Sequence, residues 1–482
     1  MTALVRLARA SVAAVLLLAL GTAAVSTIVP WYVLALGACA LVGGLWRPAH
    51  ALPWVLIAVP WGERLAAVPV RASELVLWAF LAGLCLRLTE RPVPAAPWMR
   101  RVAVPALLFL IISIVSWMRV ELQQPGTPGW PAAAVNLLRL VPADYLVTAG
   151  RARHTATMLQ VALAVSVFLV VPHLARREAT LPGRVLFSVA AGGLLAAVLS
   201  VVAVPLIYFT TGDWNEIDRY ISDTPSRGAF HLKDVNAAGS QYILAALLSL
   251  ALAPAGRAAQ IAWRVGQVAL VVALWMSGSR AAITAGVIGV AVWAIFVWLA
   301  RRGLEVPRVS PRVLGACAIA VIVALTGSVR LGSARATTGS ASLSLSIRAE
   351  FLKTSLAMMA TAPLTGVGIG TYYERSSQFM TPVLREIYGR ENAHNYFLQT
   401  WAELGLVGLL AFLWWLGRAL GVGWTHVRRE GWSGPAFAAV CGCSVFLLTC
   451  VTGHPFLVVE VATLFWAALG ATVSLGAEPP EA

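Results

Sequence analysis

The sequence predicts an all-α protein threaded through a membrane about 12 to 14 times, and three observations carry that prediction. Of 482 residues, 59% are hydrophobic and only 12% charged, with a mean hydropathy of +0.79, too apolar for a soluble chain of this length. The apolar residues gather in runs of about 17 to 25, the length a helix needs to cross ~30 Å of hydrocarbon. Those runs lack the alternation of apolar and polar residues that marks the strands of a membrane barrel.

In chain order, the apolar spans fall at 8–28, 31–46, 51–69, 72–88, 102–118, 156–174 and 185–209. They continue at 236–255, 259–276, 281–300, 312–328, 394–418, 435–452 and 456–474. The first has basic flanks like a secretion signal, but another span follows at once without a cleavage site, so it reads as the first transmembrane helix. The third is interrupted by Glu63 and Arg64 and is expected to dip into the membrane rather than cross it; its neighbour is short, hence a range for the count.

The net charge of +15 comes from 36 basic against 21 acidic residues, and only Lys233 and Lys353 are lysines. Fifteen arginines sit in short connections: Arg91, Arg100 and Arg101; Arg176, Arg177 and Arg184; Arg257 and Arg264; Arg301, Arg302, Arg308 and Arg312; Arg418, Arg428 and Arg429. Such loops stay on the cytoplasmic side. This distribution accounts for the charge without nucleic acid, which is not expected as a partner. Alternation sends 119–155, 210–235, 277–280, 329–393 and 452–455 to the outer face and leaves both termini cytoplasmic. Cys39, Cys85, Cys317, Cys441, Cys443 and Cys450 all lie in apolar stretches and read as small buried hydrophobes, not as a disulfide or zinc framework. The chain is expected to be a single integral membrane domain over 1–482.

The long outer loop 329–393 opens with the low-complexity run GSARATTGSASLSLS. It then turns amphipathic, with Phe351, Leu352, Leu356 and Met359 at helical spacing, until Pro363 and the glycines of GVGIG break the pattern. This predicts a helix on the outer face followed by a tight loop returning to His394. Ordered loops of this length are usually functional.

Several polar residues need explaining on that outer side. His394 stands at the start of an apolar helix, flanked by Asn392 and Asn395. An unperturbed imidazole, with a pKa of ~6.5, accepts a proton at working pH. Arg227, Arg280 and Arg348 share the same side, and guanidinium forks match phosphate oxygens. Arg280 ends SGSR, the entire connection between two spans, where a merely snorkelling arginine is the alternative. Arg227 has Arg219, His231 and Lys233 nearby, any of which suits the same work. Glu403 lies within the apolar helix; on an ideal helix nine residues carry it ~13 Å from His394 and to the opposite face. A structural partner on another helix is the expected reading, with a catalytic role as the alternative. Gly405 and Gly408 would permit close helix approach. His454, in TGHP, reads as an interface histidine before a helix-starting proline, with a site role as the alternative. The acids Asp213, Glu216, Asp218 and Asp223 match no calcium-loop spacing and read as a solvated acidic loop.

HNYFLQTWAELG, at 394–405, fits H-N-x-x-L-x-x-x-x-E-x-G and resembles the signature of the O-antigen ligase and O-antigen polymerase superfamily. RGAFHLKDVNAAG, MSGSRAAI and the arginine-bearing stretch ending PLTGVGIG are similar, in order, to the family's upstream motifs. The resemblance covers about 185–475. One departure is Val235, where the family carries a proline before Asn236.

The resemblance implies an inverting glycosyltransferase of the inner membrane, multi-pass, with its active site facing the periplasm. The donor would be an undecaprenyl-diphosphate-linked glycan. The acceptor would be the lipid A core in a ligase, another carrier-linked glycan in a polymerase, or a protein in related enzymes. Arg227 and Arg280 would hold the diphosphate and His394 would take the acceptor proton. Arg348, Asn395, Glu403 and His454 remain further candidates. Two arginines can neutralise a diphosphate leaving group, so no metal or other cofactor is expected. A flippase or transporter that binds the same lipid without chemistry is the competing class.

Overall fold

The computed structural model describes residues 10–18, 20–21, 29–65, 71–90, 97–123, 153–222, 228–302 and 340–475. No strand occurs among them, and the architecture is a polytopic helical bundle. The span expected at 312–328 lies outside the described residues.

The first half contributes α1 (Trp31–Trp46), α2 (Pro48–Ala58), α3 (Ala72–Glu90), α4 (Pro97–Leu122), α5 (Arg153–Ala175), α6 (Leu181–Thr211) and the short α7 (Trp214–Ser222). The second half adds α8 (Val235–Ala251), α9 (Arg257–Ser277), α10 (Arg280–Arg301), α11 (Ser340–Thr361), α12 (Tyr372–Phe379) and α13 (Pro382–Tyr388). It ends with α14 (Tyr396–Glu430), α15 (Pro435–Thr449) and α16 (Val459–Ser474). Six described helices, α4, α5, α6, α9, α10 and α14, are long and apolar enough to cross a membrane; α1, α8, α15 and α16 are shorter apolar helices.

The interrupted third span is indeed broken. α2 has 11 residues, about 16 Å at 1.5 Å per residue, and cannot cross alone. A 3-10 turn, Val59–Trp61, and the short helix Gly62–Leu65 follow it. The charges there have work to do: Glu63 Oε2 accepts the amide of Lys233 at 2.8 Å, and Arg64 donates to the carbonyl of Phe230 and lies over its ring. They pin the segment that leads into α8.

Lipid gives apolar helices no reason to prefer each other over acyl chains, so packing geometry decides which ones meet. α8 and α16 are apolar all round and almost wholly buried, which places them in the middle of the bundle. α9 and α10 keep Val265, Val268, Val271, Val287 and Ile295 exposed, as a lipid-facing rim does. Gly44 of α1 and Gly83 of α3 let the two backbones touch: a methyl on Gly44 would run into the carbonyl of Phe80, and one on Gly83 into that of Leu41. At the centre the indoles of Trp415 and Trp466 stack at 4.0 Å and 8°. Phe456 stacks on Trp466 at 5.3 Å, and Tyr396 packs against Phe456 at 4.9 Å. This aromatic column rises to within two residues of His394.

The segment 340–393 is more elaborate than one helix and a tight loop, because α12 and α13 stand between the glycine run and His394. α11 forms as expected, but its buried stripe is Phe351, Thr354, Ser355, Met358 and Met359, while Leu356 is exposed. The small polar residues Thr354 and Ser355 conceal this face from a purely apolar pattern; Ser355 Oγ is bonded to the Tyr372 hydroxyl at 2.7 Å. The cysteine reading holds for Cys441, Cys443 and Cys450, which are buried, but Cys39 is exposed on the outward side of α1.

Candidate active site

His394 does not begin α14. Asn395 is the N-cap, its side-chain oxygen accepting the amides of Phe397 and Leu398 at 3.0 Å each, so Asn395 is committed to starting the helix. His394 sits one residue outside with φ of 48°, the only described non-glycine residue with positive φ. Left-handed backbone is costly for a residue with a side chain, and it persists where the surroundings over-determine it. Here the amide of Tyr396 donates to the carbonyls of Cys450 (2.9 Å) and Gly453 (3.1 Å), tying the entry of α14 to the exit of α15.

That tie sets His394 beside His454, with ring centroids 5.0 Å apart. Phe351 of α11 covers the other side of the His394 ring at 4.7 Å, which brings Arg348, one turn earlier on α11, to the same place. His454 Nε2 lies 3.7 Å from Asp234 Oδ2; the other oxygen of Asp234 caps α8 through the amides of Asn236 and Ala237. Asn236 in turn accepts from the Ser279 hydroxyl at 3.0 Å, and Ser279 is the N-cap of α10, whose first residue is Arg280. Arg280 is exposed and close enough to Arg348 to destabilise its charge. Burial first, then Arg280, lowers the Arg348 pKa.

Arg280, Arg348, His394 and His454 therefore converge, drawn from four separate segments. Arg227 lies outside the described residues. Of its neighbours, His231 is fully buried and bonded to Gln241 at 3.0 Å, and burial pushes its pKa down to about 4. Arg219 pairs with Glu216 at 2.6 Å. The acidic loop is likewise engaged locally, Asp213 accepting the amide of Asn215. Asp234 was not legible as a site residue; its signal was an N-cap acid just ahead of a span that ends against the arginine turn.

The expectation of an unperturbed imidazole is corrected. Burial, then the His454 ring, then the Arg348 charge push the His394 pKa down to about 3. All three oppose a further positive charge in a site that already holds two guanidinium groups. His394 is neutral across physiological pH, with a lone pair to offer.

Glu403 is an anchor, and its partners across the fold are the start of α12 and the loop just before it. It accepts the amides of Gly370 (2.8 Å) and Tyr372 (3.2 Å) and the side chain of Gln399 (3.2 Å). Two residues on, Gly405 breaks α14 with φ 71° and ψ −178°. The freed backbone groups are taken up by the glycine loop. Val367 and Gly368 donate to the carbonyls of Ala402 (2.8 Å) and Glu403 (2.9 Å), while Leu406 and Val407 donate to those of Pro363 (2.9 Å) and Leu364 (3.3 Å). Gly405 thus serves a backbone clasp and not the helix-to-helix approach expected of it. The far side of the loop rests on the first half of the chain. Arg119 of α4 donates to the carbonyl of Gly366 (2.6 Å), Ser116 accepts the amide of Ile369 (3.0 Å), and a methyl on Gly370 would meet the backbone of His154 in α5.

Residues 265–413 match the family model described as O-antigen ligase; the matched segment includes Arg280, Arg348, the glycine loop, His394 and Glu403. A search of curated proteins finds no match. This match over 265–413 supports a place for the chain in the O-antigen ligase/polymerase superfamily.

Proposed function

We propose that the protein is an inverting glycosyltransferase that moves a glycan from an undecaprenyl-diphosphate carrier to an acceptor hydroxyl at the periplasmic face of the inner membrane. The observation that carries this reading is a neutral imidazole beside two converging arginines. Arg280 and Arg348, joined by Arg227, would hold the diphosphate; charge-assisted forks suit its oxygens. His394 takes the proton of the acceptor hydroxyl as that oxygen attacks the anomeric carbon. The bond from the anomeric carbon to the phosphate oxygen breaks on the opposite face, and carrier diphosphate leaves with its charge spread over the guanidinium groups. His454, backed by Asp234, lies next to the imidazolium that results. Ligase and polymerase differ only in the acceptor. The groups assigned to the donor and the acceptor, Arg280, Arg348, His394 and His454, collect at one end of the bundle, which favours transfer over transport.

A pKa of about 3 makes His394 a weak base before the donor binds. The negative charge of a bound donor reverses the repulsion and raises it toward the value a general base needs. Removing the Arg348 charge acts in the same direction, since a positive neighbour lowers an imidazole pKa. In Arg348→Gln, the acid limb of the kcat/KM profile, which reports the free enzyme, moves upward toward ~6.5. In the wild type the acid limb of kcat stands above that of kcat/KM. Identical acid limbs in wild type and variant would remove Arg348 from the neighbourhood assigned to it.

Arg280→Gln is expected to weaken donor binding by about 10- to 100-fold, the loss of one or two charge-assisted bonds. Direct titration with the lipid-linked donor reads this, and unchanged affinity would exclude Arg280 from the diphosphate site. Deleting the gene in its own cell then separates the acceptors: carrier-linked polymer accumulating while lipid A loses long glycan marks a ligase, and single-repeat caps mark a polymerase.

A further inference from the structure

At the ends of the helices remote from His394 the fold closes around a second polar cavity. It has a volume of about 230 Å³ and lies among the C-terminal ends of α1, α3 and α5 and the start of α2. Arg47, Arg87 and Arg177 line it together with His50 and His173, and the single acid is Glu178. That acid is already engaged, its Oε1 taking Arg184 at 2.9 Å and the Thr180 hydroxyl at 3.2 Å. Among the described residues that line the cavity, three guanidinium groups therefore face one acid that is already paired.

Two further features sharpen its chemistry. α2 opens onto the cavity at Pro48 and Ala49, so the positive end of its helix dipole points inward, an arrangement that favours anions. Arg87 donates to the carbonyls of Leu45 (3.0 Å) and Trp46, which fixes its guanidinium in the wall instead of leaving it to wander. Trp46 is exposed at the rim, and an exposed indole at a helix end sits at headgroup level.

We propose that this cavity is a binding site for a phosphate-bearing anion, presented to it as the headgroup of an anionic membrane phospholipid. Arg47 and Arg177, both exposed at the lip, take the phosphate oxygens; Arg87 and the start of α2 form the floor. The volume, several times the ~30 Å³ share of one water, admits a phosphate with a glycerol-sized substituent. This site is independent of the transfer reaction at the opposite end.

The test uses the full-length protein released from micelles containing equal amounts of phosphatidylglycerol and phosphatidylcholine, with retained lipid counted by native mass spectrometry. The wild type is expected to keep phosphatidylglycerol, the double variant Arg47→Gln, Arg177→Gln to lose it by about tenfold, and Arg301→Gln, on the same face outside the cavity, to behave as wild type. Arg177→Gln alone serves if the double variant unfolds. Inorganic phosphate is then added in millimolar amounts. Failure to displace the lipid assigns the site to a headgroup, while displacement assigns it to a soluble phosphate. Equal retention by wild type and both cavity variants, with no phosphate binding to either, overturns the site.

Discussion

Replacing His394 by alanine should abolish glycan transfer while leaving the donor bound. A positioned general base contributes about 10²- to 10⁴-fold, so kcat at saturating donor is expected to fall by that factor. Affinity for the lipid-linked donor should hold or rise slightly, because the imidazole contributes no charge to the diphosphate site. His394→Gln is the companion variant, since glutamine keeps a polar group against Phe351 but accepts no proton at working pH. Transfer by either variant within about threefold of wild type would end the general-base assignment. A loss of donor binding in step with transfer would instead mean that His394 shapes the pocket.

The second large effect is expected at Gly405→Ala. At φ 71° and ψ −178°, a region that only glycine enters readily, a side chain costs about 1 to 3 kcal/mol in backbone energy alone. The added methyl would also strike the carbonyl of Leu364 and the amide of Thr365, backbone atoms that cannot rotate away. Relief requires parting the loop from the helix break, with the backbone bonds of the clasp lost at about 1 kcal/mol each. A total near 3 to 5 kcal/mol follows, read as a lower Tm and as new protease cleavage between 363 and 371. Gly417→Ala in the same helix is the control: nothing lies within 4 Å of its added methyl, and alanine in a helix interior should be neutral or slightly stabilising. Equal behaviour of the two variants would show that the clasp does not hold the loop.

The bundle was legible in the sequence because lipid permits few alternatives: long apolar runs mark helices, and arginine marks one side. The turn at 277–280 and the caps at Asp234, Ser279 and Asn395 obey local rules and were in reach. The site was legible only as parts. His394, Arg280 and Arg348 could be named, but nothing local says that Tyr396 bonds to Cys450 and Gly453, and that contact is what brings His454 alongside. The His394 pKa was misjudged for the same reason, since desolvation and a neighbouring charge are properties of the assembly. Glu403 shows the limit from the other direction. Helix geometry ruled out a direct pair with His394, yet its true partners are main-chain amides, which carry no residue type to read.

The glycine loop also bears on what can be excised from this protein. The family segment, 265–413, holds the histidine, two arginines and the loop itself, but Arg119, Ser116 and His154, on which the loop rests, belong to helices outside it. A chimera grafting 265–413 onto an unrelated set of leading helices would inherit Arg280, Arg348 and His394, but it would lack Arg227, Asp234 and His454 as well as the surface on which the loop rests. The transferable unit therefore runs from α4 through His454, and swaps between relatives should be cut before residue 97 and after residue 454 rather than at the family boundary.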